Sequence, residues 1–181
     1  MLARARWLPC LVVATISALS ACGPGSFDSN VAWPSLTVSE SVFFSDELNG
    51  DTPVLYAVMS DRPGLCESFK AGNKLKSTTY VVVGVEEVSV LNPGVFVVGS
   101  SSTGKMAEAR TYKFDANCDE ERRATASGGT VTLDSYEAKP SGGMHGSFNL
   151  EFSSEGGTAR GSFHAQFCDV DPSGISFTGC L

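Results

Sequence analysis

From Leu36 onward, apolar residues recur mainly at every second position or in short unbroken runs, the spacing of β-strands with at least one buried face. Leu36 to Phe44 alternates, with Leu36, Val38 and Val42 on one face before Phe43-Phe44. Val54 to Met59 is a compact apolar run behind Pro53, and Val95 to Val98 follows an Asn92-Pro93-Gly94 turn. Thr78 to Val85 contains Tyr80-Val81-Val82-Val83, too apolar for a half-exposed strand and therefore predicted to be central. Thr111 to Phe114 is a further short strand. The single helical prediction is Gly64 to Ala71, with Leu65, Cys66 and Phe69 on one side and Gly72 as the stop. Asp61 or Arg62-Pro63 is expected to open it.

The C-terminal third carries the strongest pattern. Gly146-Ser147-Phe148-Asn149-Leu150-Glu151-Phe152 recurs as Gly161-Ser162-Phe163-His164-Ala165-Gln166-Phe167 around a turn containing Gly156-Gly157. This predicts a β-hairpin, and Gly129 to Tyr136 adds a third strand to make a meander over 129–168. Setting Phe148 opposite Phe163 on the apolar face places Phe152 opposite Ala159, Met144 opposite Phe167 and Gly146 opposite Ala165. The polar face then pairs Glu151 with Arg160 and Asn149 with Ser162.

A different pattern opens the chain. Arg4 and Arg6 precede an apolar stretch, Leu8 to Ala18, that is too short to span a bilayer as a helix, and Leu19-Ser20-Ala21 leads into Cys22. This is the layout of a lipoprotein signal peptide, residues 1–21, with lipidation expected at Cys22. Residues 22–34 are rich in Gly, Pro, Ser and Asn and are predicted to be a lipidated flexible tether to a domain over 35–181. Two or three acyl chains at about 0.8 kcal/mol per buried methylene would hold the chain to a membrane far better than one.

Charge narrows the partners. The chain has 13 basic and 20 acidic residues. Removing Arg4 and Arg6 with the signal leaves 11 against 20, a net charge of −9. No basic patch is available to meet phosphates, which argues against nucleic acid and anionic headgroups. The exported domain retains Cys66, Cys118, Cys168 and Cys180, an even set predicting two disulfides with three possible connectivities. Proximity in sequence favours Cys168–Cys180 and Cys66–Cys118.

The candidate chemistry is thin. Gly99 to Met106 approaches a phosphate-binding loop but lacks the hydroxyl residue after Lys105. Asp169-Val170-Asp171-Pro172-Ser173-Gly174 begins like a calcium loop, although Cys180 stands where a bidentate glutamate belongs. Asp115, Asn117 and Asp119 have similar spacing without the glycine. His145 and His164 fall on the polar face of the hairpin near a diagonal pair, with no third ligand suggested by spacing. Glu86 and Glu87 point to opposite faces of one strand, and Asp119 to Arg123 is a charge run suited to a solvated loop or protected edge. No catalytic residues, cofactor site or metal site are assigned.

Leu-Ser-Ala-Cys at 19–22 resembles the bacterial lipobox. The strands Gly129 to Leu133, Gly146 to Phe152 and Gly161 to Cys168 together resemble a layout found in predicted lipoproteins of myxobacteria and relatives, as do Cys66 beside a short helix and Cys118 after a strand. The resemblance implies no activity and no catalytic residues. Gly23 rather than Asp after Cys22 resembles the sorting pattern for the outer membrane. The expected fold is a single antiparallel β-sandwich or barrel-like domain of roughly eight strands with one short helix. The expected function is a non-enzymatic structural or interaction module of the cell envelope, anchored through its N-terminal lipid. A small-ligand carrier of the β-barrel type is the alternative. The two differ in whether Phe43, Phe96, Phe148, Phe152, Phe163 and Phe167 pack together or line a void.

Overall fold

The computed structural model describes residues 23–30, 33, 35–48, 52–72, 75–88, 90–99, 102–171 and 175. The strands are β1 (Gly25–Ser29), β2 (Glu40–Leu48), β3 (Thr52–Ser60), β4 (Thr79–Glu87), β5 (Gly94–Val98), β6 (Lys105–Phe114), β7 (Glu120–Thr125), β8 (Gly128–Tyr136), β9 (Gly143–Phe152) and β10 (Gly157–Phe167). One helix, α1 (Leu65–Ala71), lies between β3 and β4. Eight strands close into a barrel in the order β10-β2-β3-β4-β6-β5-β8-β9, with β9 returning to β10.

The barrel is made of two antiparallel halves. β2-β3-β4-β6 and β5-β8-β9-β10 meet through two short parallel joins, Val97–Val98 on Met106–Ala107 and Gln166–Phe167 on Val42–Phe43. These joins depart from the wholly antiparallel expectation. At each join a long strand shares one edge between two partners. β6 gives its start to β5 and its end to β7, and β10 gives its first half to β1 and its end to β2. The charge run at 119–123 therefore falls largely within β7, with Glu120 to Arg123 exposed.

Alternation decides what lies inside. Phe43, Leu55, Ala57, Met59, Val81, Val83, Val85, Phe96, Ala107 and Ala109 join Val131, Leu133, Met144, Phe148, Leu150, Phe152, Phe163 and Ala165 in the central cluster. Tyr80-Val81-Val82-Val83 is buried throughout because the outer face of β4 is covered as well. There Val42, Phe44, Val58, Tyr80, Val82, Tyr112 and Phe114 form a second cluster beneath Leu65 and Phe69 of α1. Tyr80 and Phe114 stack with centroids 5.4 Å apart, and Phe44 meets Phe69 edge-on at 5.6 Å.

Helix α1 ends at Gly72, whose φ of 62° is left-handed, and Gly72 N–H returns to the Phe69 carbonyl. Its opening differs from expectation. No local side chain caps it; the Glu40 carboxylate of β2 accepts from Gly64 N–H and from Leu65 N–H, the latter at 3.0 Å. An anion reaching in from a neighbouring strand satisfies the free amide donors there.

Three other expectations are corrected. The disulfide is Cys66–Cys168, with Cα atoms 5.5 Å apart and a sequence separation of 102, not Cys66–Cys118 or Cys168–Cys180. The parallel join of β10 to β2 delivers Cys168 beside α1, and its N–H donates to the Phe43 carbonyl at 2.8 Å. Loop closure grows only logarithmically with length, so nearness in sequence was a poor guide. Cys118 is disulfide-bonded as well, while Cys180 lies outside the described residues. Within the predicted tether, residues 25–29 form β1, which pairs with Ala159 to Phe163, and Trp33 is buried in the central cluster.

The third correction is the hairpin register. Phe148 lies opposite Gly161, and Phe163 opposite Gly146, two residues from the expected alignment. Faces are unchanged because a slip of two preserves the alternation. Each ring covers the glycine opposite it. A Cβ at Gly146 would meet Phe163 Cζ at 2.4 Å, and one at Gly161 would meet Phe148 Cζ at 2.6 Å. Arg160 accordingly pairs with Asp28 of β1, at 3.1 Å, rather than with Glu151.

Candidate functional site

The outer wall carries the most distinctive chemistry, at a glycine in the middle of β4. Tyr56, Gly84 and Glu108 are consecutive cross-strand partners on β3, β4 and β6. A Cβ at Gly84 would lie 2.9 Å from Tyr56 Cε1 and 3.1 Å from Glu108 Cγ, so the missing side chain lets the tyrosine ring lie across the strand. Beyond β6, the chain after β5 and the chain after β7 part. Gly99 N–H bonds to the Ala107 carbonyl, and Ala126 N–H to the Ala109 carbonyl. The result is a cleft of about 530 Å³ whose lining includes Val54, Tyr56, Glu86, Val98, Met106 and Glu108.

Its electrostatics follow from placing carboxylates on apolar surface. Burial and the neighbouring Glu108 raise the Glu86 carboxyl above its ordinary value. Burial, then Glu108, Asp46 and Glu86, push the Tyr56 hydroxyl up to about 12. Glu108 pairs with Arg110 at 2.7 Å, both partly exposed, an arrangement worth about 0–1 kcal/mol. A cation with an apolar body would relieve the Glu86–Glu108 repulsion while covering Val54, Val98 and Met106.

A second, more polar groove of about 990 Å³ includes the histidines. His145 and His164 are directly opposite in the ladder rather than diagonal, with ring centroids 5.2 Å apart. His164 Nδ1–H donates to the Gly23 carbonyl at 3.0 Å, and its backbone N–H donates to the Pro24 carbonyl at 3.1 Å. Glu40 and Glu67 line the same groove, but Glu40 is occupied at the start of α1. Among the described residues no group of three His, Cys, Asp or Glu is placed to hold a metal ion.

The remaining sequence candidates have structural duties. Lys105, in the near phosphate loop, pairs with Glu87 at 3.3 Å and donates to the Asn92 carbonyl at 3.3 Å. The Asp115 carboxylate accepts from Asn117 N–H at 2.7 Å and Asp119 N–H at 2.9 Å, and these backbone bonds lower its pKa. It serves a turn. In the 169–174 loop, residues 172–174 lie outside the described residues, as does Cys22. Glu86 and Glu87 do part to opposite duties, the cleft and the Lys105 pair. Sequence reading missed the cleft, although Gly84 interrupting an apolar run was its signal. No family model matches the chain, and comparisons with curated proteins and with solved structures returned no match.

Proposed function

We propose that this protein is a cell-envelope lipoprotein, anchored through Cys22 at the outer membrane, that acts as a non-enzymatic interaction module through its outer surface. The observation carrying this reading is the packed barrel interior. Phe43, Phe96, Phe152 and Phe163 are fully buried in one cluster with Met59, Leu133 and Met144, and Phe148 is nearly so. Phe167 packs on Phe43 with centroids 5.4 Å apart. Side chains thus occupy the place where a barrel carrier holds cargo, and recognition falls to the exterior. The lipobox-like Leu19 to Cys22 supports the anchor. The test is to express the whole chain in a bacterium fed an alkynyl fatty acid, purify it and extract it with organic solvent. The reading expects label that is lost in Cys22→Ser and no stoichiometric extracted compound. An apolar compound recovered mole for mole would overturn the interaction reading.

The cleft at Gly84 favours one second reading, a small-ligand carrier whose cargo binds on the outer wall. Its mainly apolar lining with Glu86 and Glu108 suits an amphipathic amine. Calorimetric titration with alkylammonium ions of increasing chain length distinguishes this reading, which expects saturable binding abolished by Glu86→Gln.

A further inference from the structure

The backbone brings the two histidines of the polar groove close together. His164 spends its N–H on the Pro24 carbonyl, at 3.1 Å, so its backbone polar groups face the β1 side rather than β9. His145 and His164 are therefore a non-hydrogen-bonded pair of the antiparallel β9–β10 ladder, the kind with Cα atoms about 4.5 Å apart and side chains nearest. Both side chains are exposed on the outer face, and their ring centroids lie 5.2 Å apart. That spacing has a chemical meaning. A metal–imidazole bond of about 2.0–2.1 Å puts the ion about 3.2 Å from a ring centre, and a tetrahedral angle between two such bonds sets the centres about 5.2 Å apart. The rings already stand at the separation that two ligands to one ion require.

The ring nitrogens suit the same role. A carbonyl only accepts, so in the 3.0 Å bond to Gly23 the proton sits on His164 Nδ1, and Nε2 keeps its lone pair. One imidazole nitrogen fixed by a backbone carbonyl while the other is free to bind is the usual outer-shell arrangement of histidine ligands. His145 Nε2 lies over Gly143, where even a Cβ would come within 3.2 Å of it, so the glycine leaves that nitrogen uncovered. Charge agrees with a cation. Glu40 and Glu67 line the groove, and among its described lining residues there is no lysine or arginine. Cys66 lines it too, but as half of the disulfide to Cys168 it offers no thiolate.

We infer that His145 and His164 together bind a divalent transition-metal ion through their Nε2 atoms, copper(II) ahead of zinc(II). Imidazole suits both ions, and the affinity order of the first-row divalent metals places copper above zinc. Two protein ligands rather than three leave the other coordination positions to water or to a donor from outside the chain. Because both rings are exposed, the ion exchanges with solvent and yields to a chelator while the protein stays folded. It is a surface site, separate from the packed barrel interior and from the Gly84 cleft, and it stands independently of the lipid anchor.

The test titrates copper(II) into the full-length protein, prepared without a histidine tag and stripped with chelator, and follows it by electron paramagnetic resonance. The expected result is a single ion per chain with nitrogen couplings from two imidazoles, displaced by zinc(II) only in excess. His145→Gln and His164→Gln should each remove one imidazole coupling and weaken binding by about 10–100-fold or more. Circular dichroism checks that each variant remains folded. The imidazole count in the unmodified protein decides the matter without any variant. Copper held there by one imidazole or by none would overturn the inference, and so would tight binding that survives both substitutions.

Discussion

Gly146→Ala is expected to destabilise the protein substantially, and the reason is the hairpin register. The new methyl would meet Phe163 Cζ at 2.4 Å and the Thr132 carbonyl at 2.3 Å. The ring is fully buried and the carbonyl belongs to the adjoining strand, so neither can yield without moving its surroundings. Overpacking of this kind costs about 1–3 kcal/mol, and the backbone contact places it near the upper end, about 3 kcal/mol. For a domain of this size that corresponds to a fall in Tm of roughly 6–12 °C. Were Gly146 opposite Ala165, as the sequence expectation had it, the methyl would escape the ring and meet only the Thr132 carbonyl. The coupling to Phe163 therefore separates the two alignments. Denaturant unfolding of Gly146→Ala, Phe163→Leu and the double variant measures it. Positive coupling of about 0.5–3 kcal/mol between the sites is expected. A Gly146→Ala effect that is simply additive with Phe163→Leu would refute the ring-over-glycine account.

The other predictions concern staples and charges. Peptide mapping without reduction should join Cys66 to Cys168 and find Cys118 in a separate bridge, and replacing Cys168 by Ser should cost about 2–5 kcal/mol. Folding raises the Glu86 carboxyl, so its contribution is favourable in acid and is lost as pH rises through its folded pKa. Glu86→Gln should therefore raise stability at neutral pH and leave it unchanged well below the carboxylate range; unfolding across pH would expose any opposite trend. Ultraviolet titration should show the Tyr56 phenol ionising at about 12. Glu108→Gln should lower that value and Tyr56→Phe should remove the transition, whereas an unmoved titration in Glu108→Gln would discount the carboxylate's influence.

Most strand positions and the all-β class were legible because alternation directly encodes which side chains are buried. Thr78 to Val85 read as central for the right reason, since both its faces are covered. Register was not legible. A slip of one residue would have turned Phe148 outward and is excluded by the pattern, but a slip of two leaves every face intact. Ring-over-glycine packing, which chooses between those alignments, has no periodic signature. The Cys66–Cys168 bridge was hidden for a related reason, because it depends on the parallel meeting of β10 with β2 rather than on any local run. Glu40 opens α1 from 25 residues away, beyond the reach of capping rules written for neighbouring residues. Gly and Ser in 25–29 resembled a linker, yet β10 had a free edge that their backbone amides could fill. The cleft needed three strands to align Tyr56, Gly84 and Glu108, and only the glycine was visible beforehand.

Native mass spectrometry of the full-length protein, extracted from the bacterial envelope in detergent without chelator, tests the central claim most directly. A filled barrel held by its lipid predicts a single acylated species starting at Cys22, lighter by four hydrogens for its two disulfides and carrying no bound molecule. Extra mass released only on unfolding would contradict the claim, by showing that the barrel or its wall carries cargo.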